Sequence, residues 1–319
     1  MSIIRPFRAI RPEKELASSI AALPYDVYSS AEAREIVRDN PLSFLKIDRA
    51  ETLLPEGTDM YSPQVYEAAR DTLDGMIQNG SFIRDSADCC YIYALTMGGR
   101  TQTGLAACAS IDDYTNGVIL QHEKTLEAKE QDRIRHIDTC SAQTGPIFLT
   151  HRPDAGLHQI TERIKTRDSL YDFTSPDGVR HQVWKIDDPG DIGKIARIYS
   201  GISHLYIADG HHRAASAVKV GLSRRAADPD YSGAEEYNFF LSVLFPSDEL
   251  KIYGYDRVVK DKNGYTFSAF LDKIKDGFEI TRIGAGPYRP EAKGVFGIYS
   301  EGVWYRAQAR PALLSDDPV

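Results

Sequence analysis

The segment richest in chemistry is Tyr206-Ile207-Ala208-Asp209-Gly210-His211-His212-Arg213-Ala214-Ala215, a strand-like run that passes through Asp-Gly into a helix-forming run. A helix starting here aims its free N–H groups and the positive end of its dipole at the spot where Arg213 and two imidazoles also gather. That combination makes an anion site. Gly210 lets a phosphate approach the backbone, and Asp209 is placed to hold Mg2+ or to orient the His and Arg side chains. Between Ser203 and Arg225 four cations, Arg213, Lys219, Arg224 and Arg225, face one carboxylate, Asp209, a local excess of three positive charges that favours an anionic ligand. The plainer reading is a helix capped by Asp209 with both histidines in solvent. A single cap leaves the other polar groups at the turn unexplained. Adjacent helical residues diverge by about 100°, so His211 and His212 do not share one metal, and a metallohydrolase is disfavoured.

A second segment, Gln121-His122-Glu123-Lys124-Thr125, leads into a run dense in charge. Glu123 beside His122 could act as general base toward a hydroxyl. The position four after His122 is Leu126, so the segment is not the HExxH of zinc peptidases. By itself Glu123 reads as an exposed acid near a helix start, and only a partnership with the Asp209 turn gives it a role. A base and its phosphoryl donor must share one pocket, so the two segments should approach within about 10 Å. Pro24-Tyr25-Asp26-Val27 is a weaker candidate for ligand contact, since this is also common turn chemistry.

Several elements must position these residues. Ser29 and Ser30 open a helix that stops at Asn40-Pro41, and Ser43 to Asp48 reads as a strand. Ser62-Pro63 starts a helix with Val65, Ala69, Leu73 and Ile77 on one apolar face, ended by Asn79-Gly80. Cys90 to Met97 and Thr103 to Ile111 alternate and are joined through Gly98-Gly99 as a hairpin. Gln121 to Cys140 reads as a surface helix, with Glu123, Glu127 and Glu130 on one face. Short strands follow at Pro146 to Leu149, Gln182 to Ile186 and His204 to Ala208. The last enters a helix from His211 to Val220 that Gly221 closes. Residues 224–236 read as a loop before the strand Phe239 to Phe245, with a boundary near Pro246. Gly294 to Ser300 and Val303 to Ala307 form a hairpin turned at Glu301-Gly302. Trp184 and Trp304 are read as core residues.

A length of 319 residues predicts two packed lobes, and the 42% hydrophobic and 26% charged composition excludes a disordered or collagenous chain. The net charge of -8 and the lack of a basic helix-turn-helix argue against nucleic acid as partner. Cys89, Cys90, Cys108 and Cys140 include no CxxC, which suggests reduced thiols. No signal peptide or apolar run of about 18 residues is found, so a cytoplasmic protein that does not engage the membrane is expected.

The order of Pro6-Phe7-Arg8, Pro24-Tyr25-Asp26-Val27, Asn40-Pro41, His122-Glu123-Lys124-Thr125, Asp132-Arg133, Pro146-Ile147-Phe148 and Ala208-Asp209-Gly210-His211-His212-Arg213 spans nearly the whole chain. It resembles a bacterial domain-of-unknown-function family often labelled SpoOJ/ParA/ParB/RepB family protein. The central stretch is similar to free serine kinases built on the ParB and sulfiredoxin core. That resemblance implies an α/β fold (α+β) with a mixed-sheet core and added N- and C-terminal α/β elements. It divides the chain into an N-terminal lobe over 1–115, a nucleotide-binding core over 116–246 and a small C-terminal segment over 247–319. It also implies Glu123 as catalytic base, Asp209 as a catalytic and Mg2+-holding residue, and Gly210, His211, His212 and Arg213, with His122 and Thr125, around ATP or ADP. Sulfiredoxin has a cysteine where His211 stands, so its chemistry is not expected. Relatives continue into a Pro-Pro-Lys-Ser-Thr segment, so a chain ending Asp317-Pro318-Val319 reads as truncated. The function implied is a nucleotide-dependent phosphotransferase acting on a small, serine-like hydroxyl compound, and the alternative is a non-catalytic ParB-like nucleotide-binding regulator.

Overall fold

The structure is a computed structural model that describes residues 1–254 and 256–314, so Asp317-Pro318-Val319 lie outside the described residues. It begins with short strands β1 (Ile4–Arg5) and β2 (Ile10–Pro12) and a one-turn helix α1 (Ala17–Ile20). Helix α2 (Ser30–Asp39) opens on a reciprocal cap. Ser29 Oγ accepts from the Glu32 N–H while the Glu32 carboxylate accepts from the Ser29 N–H, and the helix ends before Asn40-Pro41. The strand expected at Ser43 to Asp48 is instead a helical turn, α3 (Leu45–Asp48). Buried Leu45 and Ile47 alternate with polar neighbours, but so short a run does not separate a period of two from one of 3.6. Helix α4 (Pro63–Gln78) buries Val65, Ala69 and Leu73 and stops at Asn79-Gly80.

After β3 (Phe82–Arg84), β4 (Cys90–Met97) and β5 (Arg100–Ser110) form a hairpin, with Gly98 and Gly99 at φ 57° and 78° in the turn. Then come α5 (Ile111–Thr115), β6 (Ile119–Leu120), α6 (Glu127–Cys140), β7 (Ile147–His151), α7 (Ala155–Lys165), β8 (Tyr171–Thr174), β9 (Arg180–Ile186), α8 (Pro189–Gly201), β10 (Leu205–Asp209), α9 (His211–Ala227) and β11 (Phe239–Pro246). The main sheet runs β6-β10-β7-β11-β5-β4-β9-β8, with β1 also on β5. Pairs β7/β11 and β6/β10 are parallel and the others antiparallel, so the fold is α/β with a mixed sheet. Strands from either side of residue 115 share it, because β5 pairs with β11.

Register lines up Ile92, Leu105, Leu244, Leu149 and Ile207 in one row across five strands. All five are buried together with Ile160 and Ile164 of α7 and Ile195 and Tyr199 of α8. Trp184 joins this core, and the four cysteines are free and buried. Helix α9 departs from expectation: it runs through Gly221 to Ala227, so the loop read at 224–236 starts only after Ala227. Gly221 is there for close packing, since a Cβ would lie 2.3 Å from the Tyr237 carbonyl oxygen.

The chain divides into two compact units after Leu250. In the second, α10 (Phe267–Ile274) precedes a three-stranded antiparallel sheet of β12 (Phe278–Gly284), β13 (Val295–Ser300) and β14 (Val303–Ala309), ordered β12-β14-β13. Glu301 and Gly302 turn the β13/β14 hairpin with φ 52° and 80°. Trp304 is only partly buried there, beside Tyr299 and over Gly297. Among the described residues no helix is long and apolar enough to cross a membrane.

Candidate functional site

Strand β10 ends at Asp209, and Gly210, at φ 89°, turns the chain into α9. Asp209 does not cap the helix. Gly210 holds the cap position with no side-chain bond, so the helix supplies no acceptor for the N–H groups of residues 211–213. Asp209 instead accepts from Arg213 Nη2 at 2.5 Å, while Arg213 Nη1 donates to the Pro146 carbonyl at 2.5 Å. The guanidinium is thereby folded back over Gly210, where a Cβ would meet it at 3.2 Å.

Glu123 lies in the loop ahead of α6, not on the helix as its spacing from Glu127 and Glu130 suggested. Its exposed carboxylate stands 3.7 Å from His211 Nδ1, so the two segments meet. The His122 ring packs edge-on against His211 at 4.4 Å between centroids. His211 is only 3% exposed, its Nε2 has no hydrogen-bond partner among the described residues, and burial together with His122 pushes its pKa below the usual histidine value. His212 points elsewhere, its Nε2 accepting from the Leu126 N–H at 3.0 Å. Thr125 turns toward Glu130: burial opposes ionisation of that carboxyl, but hydrogen bonds from Lys219 and Thr125 hold its pKa below the usual value.

Helix α6 is not a plain surface helix, since Glu130, Arg133, His136 and Cys140 are buried. Burial is tolerated because the charges are matched: Glu130 pairs with Lys219 and Arg133 with Asp132. The same pairing removes the positive excess counted along 203–225. Arg213, Lys219, Arg224 and Arg225 each meet a carboxylate, from Asp209, Glu130, Asp138 and Asp112 in that order. The case for an anion at this turn therefore rests not on net charge but on the helix start, on His211 and on the Arg213 guanidinium folded over Gly210.

Two clefts border the turn. The smaller, about 180 Å³, reaches His212, and the larger, about 430 Å³, reaches Arg213. Both are lined by Tyr25, Asp48, Arg133 and His136. The Arg133 guanidinium lies 4.2 Å from the centre of the Tyr25 ring, and Arg49 donates to the carbonyls of Tyr25 and Tyr28 at 3.1 and 2.9 Å. The Pro24-Tyr25-Asp26-Val27 loop is thus fastened beside the turn. Arg133, Asp48, His136 and Arg49 escape sequence reasoning as site residues; the only hint was the Asp132-Arg133 pair inside an otherwise ordinary charged helix. No group of three or more His, Cys, Asp or Glu side chains among the described residues is arranged to hold a metal ion. A phosphate-bound Mg2+ draws most of its ligands from phosphate and water, so the single carboxylate of Asp209 fits that role only.

Burial lowers the pKa of His136, His151 and His211 alike. The folded protein then binds these protons less readily than the unfolded chain, whose histidines titrate near 6.5. Stability from this source is complete above about pH 6.5 and is lost as pH falls through that value. Thermal unfolding should show a lower midpoint at about pH 5.5 than at about pH 7.5. A midpoint that holds or rises on acidification contradicts the neutral, buried imidazoles.

No curated protein and no solved structure matches the chain. The SpoOJ/ParA/ParB/RepB label, and with it the likeness to ParB/sulfiredoxin-core kinases, is corrected, because the family model that matches nearly the whole chain carries neither that label nor that function. The motifs that carried the likeness are a few residues each, and a strand–glycine–helix turn serves anion binding in unrelated folds. The matching model describes a protein of unknown function, DUF1015, and aligns with residues 4–319, so the chain belongs to that family.

Proposed function

We propose that the turn at residues 210–213 holds the phosphates of a nucleotide such as ATP or ADP with Mg2+, and that the chain transfers a phosphoryl group to a small hydroxyl compound. The observation that carries this is the approach of the Glu123 carboxylate to within 3.7 Å of His211 at the helix start. An exposed carboxylate there is open to a substrate hydroxyl, and the N–H groups of residues 211–213, for which the helix supplies no acceptor, face the place where phosphate oxygens would sit. In the reaction the acceptor oxygen bonds to the terminal phosphorus as the bond from phosphorus to the bridging oxygen breaks. The hydroxyl proton passes to Glu123, and the nucleotide leaves one phosphate shorter. Burial and the neighbouring His122 lower the pKa of His211, which disfavours a charged imidazole beside the base.

Nucleotide binding is tested by calorimetric titration of the wild type and Arg213→Ala with Mg2+ and ATP. The substitution should weaken binding by about 1.5–3 kcal/mol, the scale of a charged hydrogen bond. An unchanged Kd removes Arg213 from the site. Transfer of labelled phosphate to a panel of amino acids and sugars then separates an enzyme from a non-catalytic nucleotide-binding regulator, which would bind and transfer nothing.

A further inference from the structure

The two clefts beside the start of α9 differ in character, and their linings decide which one receives the body of a phosphorylated ligand. The smaller is lined by Asp26, Glu51 and Asp132 together with Arg49, which is paired to Glu51, and Arg133, which is paired to Asp132, so a ring pressed there would lie largely against charged side chains. The larger is walled by Leu23, Tyr25, Phe44, Tyr93, Leu95 and Ile137, so a ring entering it covers apolar surface. Its volume of about 430 Å³ lies within the range of pockets that bury small organic ligands, roughly 300–1,000 Å³, and the 180 Å³ of the smaller does not. Arg213 joins the larger cleft to the phosphate turn, and its planar guanidinium suits a place between a phosphate and an aromatic ring. The wall is already firm: Tyr93 Oη and His181 Nδ1 are 2.7 Å apart, and the two rings are stacked with 16° between their planes.

We infer that this larger cleft takes the flat ring of the ligand, so that the site selects a nucleoside phosphate over inorganic polyphosphate. This rests on the assignment of phosphates to residues 210–213. The test titrates the full chain with Mg2+ and either ATP or tripolyphosphate, in the wild type, Ala22→Trp and Leu95→Asp. Ala22 is exposed on the rim of the cleft, so a tryptophan there obstructs it without entering the core. Leu95→Asp places a charge on the apolar wall and serves as the independent second variant. The wild type should bind ATP at least tenfold more tightly than tripolyphosphate, in line with the contribution of one stacked base, and each variant should lose about tenfold toward ATP while tripolyphosphate stays within about twofold. Equal affinity of the wild type for both ligands, or unchanged ATP binding in both variants, overturns the ring assignment while leaving the phosphate site standing. If the wild type binds neither ligand, the phosphate assignment itself fails and this inference falls with it.

Discussion

Glu123→Gln is expected to suppress phosphoryl transfer by about 100- to 10,000-fold while nucleotide affinity stays within about twofold. The amide has nearly the shape of the carboxylate but cannot take the acceptor proton. The loss therefore falls on the step in which the hydroxyl attacks, and the ground-state contacts of the nucleotide with residues 210–213 are unaffected. Removal of a negative charge 3.7 Å from a largely buried imidazole adds a second, separable effect: His211 becomes still harder to protonate. Steady-state transfer and equilibrium titration on the same preparation settle the matter. If turnover and affinity fall together, Glu123 belongs to binding, and if turnover is retained it is not the base.

Gly221→Ala should destabilise the first unit by about 2–3 kcal/mol, although in an isolated helix the same change would stabilise by about 1 kcal/mol. The added methyl would lie 2.3 Å from the Tyr237 carbonyl oxygen and 2.8 Å from Ile111 Cδ1. The first of these is backbone, so α9 must shift away from the short helical turn at Glu236–Asn238. That shift would strain the bonds of Arg225 to Asn238 and Asp112, which tie the end of α9 to the rest of the unit. Denaturant unfolding gives the difference directly, and a variant as stable as the wild type shows that the two elements do not pack this closely.

Gly221 also shows what can be read from a sequence and what cannot. As a helix stop it obeys a sound local rule, yet glycine serves equally where two backbones touch, and only the fold says which use applies. The Asp209-Gly210 turn was legible because its causes are local: a short apolar strand, a residue free to take φ 89° and a helix-forming run. The cap of α2 and the ends of α4 were legible for the same reason. Arg133, Asp48 and His136 were not, because what draws them together is the packing of α3, α4 and α6, whose contacts join distant parts of the chain. Counting charge along 203–225 failed in the same way, since Glu130, Asp138 and Asp112 approach their partners from elements far away in sequence.

The place of β11 has a consequence for how the protein is made. It is the last strand of the main sheet to be synthesised, and it lies between β7 and β5. Until it leaves the ribosome, the sheet can exist only as two half-sheets, β6-β10-β7 and β5-β4-β9-β8 with β1 on β5, each with an open edge. Joining them requires pairings such as Leu244 with Leu105 and with Leu149, which close long loops and are slow to form. A nascent chain that stalls before Phe239 thus holds two adhesive borders and lacks the segment that seals them, which makes the interval before β11 emerges the period of greatest need for a chaperone.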